Sequence, residues 1–226
     1  MKLNVIYQDE DVLVVYKEPN ISAQEERGGK MDMPSLIKNY LVSKGQKPQV
    51  FVVHRLDKPV AGIMVYALNQ RSAARLSQSI SNKDFLKKYY AITENIPGGQ
   101  MEGELRKYLL KDGKTNTSKV VNKGTPNSKE ALLKYKVISD FTYQDQKLYL
   151  NEVELCTGRH HQIRVQFNEA MSPLYGDLKY NAGAMKKGQR EGVALCAAFL
   201  EFEHPTTGKK LKFQIKPTNS IFPKSF

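Results

Sequence analysis

The sequence predicts an α+β chain built on a mixed, largely antiparallel sheet, and three observations carry that expectation. Short β-branched and aromatic runs outnumber segments of helical period. Clusters of Asp, Gly and Pro separate them at short intervals, which favours turns over long crossovers. No internal repeat, coiled-coil heptad or Gly-rich phosphate loop points to another class.

In chain order, Val5-Ile6-Tyr7 and Val12 to Tyr16 flank Asp9-Glu10-Asp11 and read as two strands around a polar turn. Residues 18–33, with Pro19, Asn20, Gly28 and Gly29, read as a loop. Pro34 suits the first turn of a helix that turns Leu36, Ile37, Tyr40 and Leu41 inward. Val50 to Val53 and Ile63 to Ala67 read as buried strands or the ends of buried elements. Asn69 can cap a helix whose Ala73, Leu76 and Ile80 share a face. Phe85 to Thr93 is a strand, and Pro97-Gly98-Gly99 and Gly103 break the chain. Asp112-Gly113 marks a hairpin-like turn, and residues 111–129 are expected to be an exposed basic loop region. Ala131 to Ile138 and Leu148 to Cys156 are strands, and Gln162 to Ala170 has helical spacing at Ile163, Phe167 and Ala170. Val193 to Phe202 and Leu211 to Ile215 complete the set.

At 226 residues the chain suits one domain, or one split into two lobes. Lysine and arginine number 35 against 23 acids, a net charge of 35 − 23 = +12. Such an excess suits a protein that meets phosphates, because cationic surface concentrates polyanions and releases their counterions. Cys156 and Cys196 lack metal-type spacing and read as core residues of a reduced cytoplasmic protein. The start has no signal-peptide stretch, and the longest apolar run, Val193 to Leu200, is too short to span a bilayer, so no membrane partner is expected.

Between two apolar runs stands His54-Arg55-Leu56-Asp57-Lys58-Pro59-Val60-Ala61, followed by Gly62. A carboxylate at the edge of a core needs a partner or a shifted pKa, and Arg55 is near enough in sequence to be one. Asp-Lys-Pro is also an ordinary turn-former. A second charged cluster, Gly158-Arg159-His160-His161-Gln162-Ile163-Arg164, interleaves cations with apolar residues. On a helix His160 and Arg164 share a face, as do His161 and Arg164, and Arg159 and Arg164 suit phosphate or a salt bridge to Asp57. A metal-dependent hydrolase built on His160 and His161 would need further ligands at fixed spacing, which His54 and His204 do not supply.

With Lys87-Lys88-Tyr89 and Gly176-Asp177-Leu178-Lys179-Tyr180, these blocks fall in an order and spacing that resembles the RluA-type pseudouridine synthases across nearly the whole chain. The resemblance implies a twisted mixed sheet with helices on its outer faces, in two lobes around a catalytic cleft that receives RNA. It implies isomerisation of uridine to pseudouridine in tRNA or rRNA, with the base taken out of its stack and no metal or organic cofactor. Asp57 then matches the catalytic aspartate, a nucleophile or base at the ribose. Arg164 matches the arginine that pairs with it, and Tyr89 the tyrosine that stacks on the flipped uracil. Arg55 matches the arginine that fills the vacated space, and Leu195 the apolar residue against the uracil. The same blocks nominate His54, Lys87, Arg159 and His161 as RNA- or base-contacting residues.

The family usually has Thr-Ser-Gly where this chain has Val60-Ala61-Gly62, Thr at His160 and His at Gln166. The lost hydroxyls make a catalytically silent RNA-binding protein the alternative. The resemblance covers the catalytic domain only, so a single domain over residues 1–226 is expected, without a separate N-terminal RNA-binding domain, acting as a monomer.

Overall fold

The computed structural model describes residues 2–26, 28–189 and 192–224. The chain forms two compact units, Met1–Lys87 with Ala197–Lys216, and Lys88–Cys196 with Pro217–Phe226.

In the first unit β1 (Asn4–Gln8) pairs antiparallel with β2 (Val12–Lys17), and β2 with β4 (Ala61–Ala67). The two-residue β3 (Phe51–Val52) pairs with the end of β4, and β10 (Leu195–Glu203) with β11 (Lys210–Gln214). Every residue of β2 is buried, so both faces of this strand are covered and its sequence is a continuous apolar run rather than an alternating one. Val12, Val14, Ile63, Val65, Leu76, Phe85, Leu200 and Phe202 form one core cluster. Leu13, Val15, Met64 and Tyr66 alternate with them and are equally buried, and Tyr66 Oη donates to Ala23 O at 3.0 Å.

The helices begin where the sequence predicts. Asp32 Oδ1 accepts from Ser35 N at the start of α1 (Met33–Ser43), whose Ile37 and Leu41 are buried. Asn69 Oδ1 accepts from Ser72 N at the start of α2 (Gln70–Asn82), which buries Leu76. A cap of this kind contributes about 1 kcal/mol.

The second unit is built on an antiparallel sheet in the order β5 (Leu86–Thr93), β9 (Gln146–Leu155), β8 (Lys129–Tyr143), β6 (Glu102–Asp112), β7 (Thr117–Val121). The β8–β9 hairpin closes through Gln144 and Asp145, both at positive φ, the geometry a two-residue loop requires. Helix α3 (Gln162–Glu169) lays Val165 on Leu109 and Ala131.

Three expectations need correction. Residues 50–53 do not form a buried strand: only Phe51 and Val52 pair, and both are half-buried. Residues 111–129 are not simply a loop, because β6 runs to Asp112 and β7 occupies Thr117–Val121. These strands carry charged residues on exposed positions, so they lack the apolar run by which strands are read. Finally, α3 begins at Gln162 with His161 as its cap residue, so His160 lies before the helix and shares no helical face with Arg164.

Gly62, the second residue of β4, has φ +133°, and a Cβ there would overlap the backbone of Ala197. Gly62→Ala is therefore expected to lower unfolding free energy by about 2 kcal/mol or more. A urea midpoint equal to wild type would contradict this close packing.

Candidate active site

Asp57 sits in the irregular segment between β3 and β4, half-buried, between two anchors: Leu56 is 6% and Val60 2% exposed. Its carbonyl accepts from Val60 N at 2.9 Å and closes a turn through Lys58 and Pro59. Burial of Val60 accounts for the apolar residue there, since a hydroxyl would have to find a partner.

Beneath this turn lies Lys17, fully buried at the end of β2. Its Nζ donates to Ile21 O (2.9 Å), Glu18 O (3.0 Å) and Lys58 O (3.0 Å), so three carbonyls take all three N–H bonds of an ammonium. Asn20 N also donates to Lys58 O at 2.8 Å. Burial pulls the Lys17 pKa down and the charge of Asp57 opposes it, with the balance at about 7. Lys17 thus supplies positive charge beside Asp57 and pins its turn to the loop after β2. Sequence reading did not single it out as a site residue, although a lysine closing an apolar strand was a visible signal.

Arg55 does not partner Asp57: it is exposed, and its guanidinium meets Gln24 Oε1 at 3.5 Å. His54 Nε2 accepts from Val65 N at 3.0 Å, and its ring lies 5.4 Å from that of Phe85. Its Nδ1 is enclosed with no partner among the described residues. Burial first, then the charge of Lys87, push the His54 pKa down to about 3, so the ring is neutral. Lys87, itself lowered by burial, lies 5.4 Å over the Phe85 ring.

The remaining residues belong to the second unit. Tyr89 is 6% exposed in β5, opposite Val153, and Leu195 is 5% exposed at the start of β10. Arg164, 4% exposed, forms a two-pronged bond with Asp177: Nε to Oδ2 at 2.8 Å and Nη2 to Oδ1 at 2.6 Å. Its guanidinium lies 5.1 Å from the Tyr180 ring centroid. Tyr180 Oη accepts from Ser118 N (2.8 Å) and meets His161 Nδ1 at 2.6 Å. His160 stacks on His161 at 3.7 Å and meets Ser118 Oγ at 2.9 Å. His161 holds a left-handed φ of +54°, and burial, then Arg164 and Lys179, push its pKa down to about 3. A non-glycine residue in that region is strained, the kind of feature that clusters at functional sites. Sequence reading placed Asp177 and Tyr180 in a family block but missed that they hold Arg164 and His161.

One cluster of metal-ligand type occurs among the described residues: Asp9, Asp11 and His204 bring ligand atoms within 4.8 Å. His204 Nδ1 accepts from Thr206 N and Thr207 N, so Nε2 carries the hydrogen and donates to Asp9 Oδ2 at 2.9 Å. Asp11 Oδ1 accepts from Asn69 Nδ2 and Ser72 Oγ. The donor set is engaged in tying the β1–β2 turn to α2 and to the β10–β11 turn, and the imidazole offers no lone pair to a cation.

Residues 11–169 match the family described as RNA pseudouridylate synthase, and the chain belongs to that family. It is 32% identical to an uncharacterized RNA pseudouridine synthase of Mycoplasma genitalium, over 94% of this chain and 66% of that protein. It is 31% identical to ribosomal large subunit pseudouridine synthase D of Vibrio cholerae, over 94% of this chain and 67% of the relative. The chain therefore spans about two thirds of the length of these curated relatives. Two human structures share its fold. RNA pseudouridylate synthase domain containing 1 superposes with a TM-score of 0.78 over 95% of this chain and 83% of its own, at 20% identity. RNA pseudouridylate synthase domain containing 4 gives 0.72 over 95% and 89%, at 22% identity. No helix among the described residues is long and apolar enough to cross a membrane.

Two expectations follow from the buried charges. Asp177→Ala leaves the Arg164 guanidinium without its bidentate acceptor and should cost about 3–5 kcal/mol in unfolding free energy, read by urea denaturation; a loss below about 1 kcal/mol would contradict that role. Imidazoles in the unfolded chain protonate near pH 6.5, whereas His54 and His161 stay neutral in the fold down to about 3. Between those values the unfolded state binds more protons, so stability falls as pH falls. The urea midpoint should drop between about pH 7 and 5, less steeply in His54→Gln, and a flat profile for wild type would contradict it.

Proposed function

We propose that this protein isomerises uridine to pseudouridine in RNA. The N1–C1′ bond breaks, the uracil turns, C5 bonds to C1′, C5 gives up its proton and N1 takes one up. Asp57, Tyr89 and Arg164 keep the roles that the resemblance gives them, with Asp57 the catalytic aspartate. The single observation that carries this reading is Asp57 itself: a carboxylate between two buried apolar anchors, on a turn that a buried lysine pins from below, within the residues that match the family. The buried Lys17 favours the ionised carboxylate that attack at a ribose, or removal of a ribose proton, requires. Burial of Tyr89 suits a ring held ready against a flipped base.

Arg55, His54, Lys87, Arg159, His161 and Leu195 are proposed as RNA- or base-contacting residues. The substrate is tRNA or rRNA, met in the cytoplasm by a monomer, and the name of the Vibrio relative supports the large-subunit rRNA.

The reaction releases the C5 hydrogen, so tritium release from C5-labelled uridine in separate rRNA and tRNA pools reads it directly. Wild type is expected to release tritium from one pool, and Asp57→Asn at least a thousandfold more slowly with unchanged RNA binding. Release by Asp57→Asn at the wild-type rate would remove Asp57 from the chemistry. Binding without release from either pool would favour a silent RNA-binding protein.

A further inference from the structure

The strands β6, β7 and β8 distribute their charge unequally between two faces, and the register makes the division unambiguous. One face carries five cations, Lys88, Arg106, Lys119, Lys134 and Lys136. These share it with six acids, Glu102, Glu104, Asp112, Glu130, Glu152 and Glu154. Several are joined: Lys88 to Glu152 at 2.9 Å, Arg106 to Glu130 at 2.9 Å and Lys136 to Glu102 at 3.8 Å. Such a face has no excess charge to offer a polyanion.

The opposite face is the one on which α3 packs, through Val165 on Leu109 and Ala131. It carries Lys107, Lys111 and Lys129, all exposed, and no acid among the paired residues of β6, of β7 and of β8 up to Val137; past the register shift that follows, Asp140 is paired with Lys147 at 3.1 Å. Register sets Lys107 opposite Ala131, Lys129 opposite Leu109 and Lys111 opposite Ser118. Two further cations are fastened beside them by backbone carbonyls: Arg159 Nε donates to Glu130 O at 2.8 Å, and Lys179 Nζ to Asn116 O at 3.0 Å. Lys111 and Lys179 both act on His161, which places them at the N-terminal end of α3.

We propose that Lys107, Lys111 and Lys129, with Arg159 and Lys179, form a one-sided phosphate track that holds the backbone of the RNA substrate along β6–β8 beside α3. The track reads no sequence, because lysines on phosphates position a strand without touching base edges. This inference rests on the RNA-modifying reading and adds to it the surface that supplies affinity.

The test measures binding of a fluorescein-labelled, uridine-containing RNA hairpin by anisotropy over a range of salt, alongside tritium release from bulk RNA by wild type. Lys107→Gln/Lys111→Gln/Lys129→Gln should weaken binding about tenfold or more at low salt. It should also reduce the slope of log K against log salt by about 2 to 3, near one per phosphate contact. The matching triple Lys→Arg variant should bind as wild type. Lys134→Gln/Lys136→Gln, on the balanced face, should change neither affinity nor slope. The track is overturned if the triple Gln variant binds as wild type, or if the balanced-face variant loses as much, and the enzyme reading then stands on wild-type tritium release. Wild type that neither binds RNA nor releases tritium would overturn both.

Discussion

The Asp57 turn rests on one buried lysine. Lys17 has no exposed surface, and desolvating it would be prohibitive without the three carbonyls that accept its hydrogens and the carboxylate charge that offsets its burial. Those carbonyls come from residues 18, 21 and 58, so satisfying one cation draws the loop after β2 and the Asp57 turn to a common point. Leu56 and Val60 then fasten the turn to the core on either side. A turn that sequence alone would leave to local preference is held by an interaction of long sequence separation.

The second unit applies the same rule to Arg164. A buried ion pair seldom adds stability over an apolar isostere of equal size, but it fixes direction, because a guanidinium fork meets a carboxylate in one plane. Asp177 gives that plane, Tyr180 covers the guanidinium, and the Tyr180 hydroxyl continues the network to His161 and Ser118. The left-handed cap at His161 is the strained point of this network, and the contacts around it hold the strain in place.

The departures from the family pattern have local explanations in packing. Val60 fills a buried position. Gln166, in place of the usual histidine, is 1% exposed and its Nε2 donates to Leu105 O and Ala131 O, tying α3 to β6 and β8 together. His160, in place of the usual threonine, meets Ser118 of β7 and stacks on His161. Each change leaves Asp57, Tyr89 and Arg164 untouched, and the two in the second unit add ties between α3 and the hairpin that bears the lysines.

The sequence by itself determined the α+β class, the Pro34 first turn and the cap at Asn69, the buried strands β2 and β4, and the ordered blocks that carry Asp57, Tyr89 and Arg164. These signals are local or periodic, so they survive in one dimension. Strands β6 and β7 did not, because their side chains alternate between a charged face and a sparse one without forming an apolar run. The Lys17 cage, the Asp177 fork on Arg164, the Asp9–His204 tie and the division of lysines between two sheet faces were decided only by tertiary structure. Each includes a bond between groups 13 to 195 residues apart or depends on strand register, and no residue spacing encodes which carbonyl, carboxylate or face a charged group will meet.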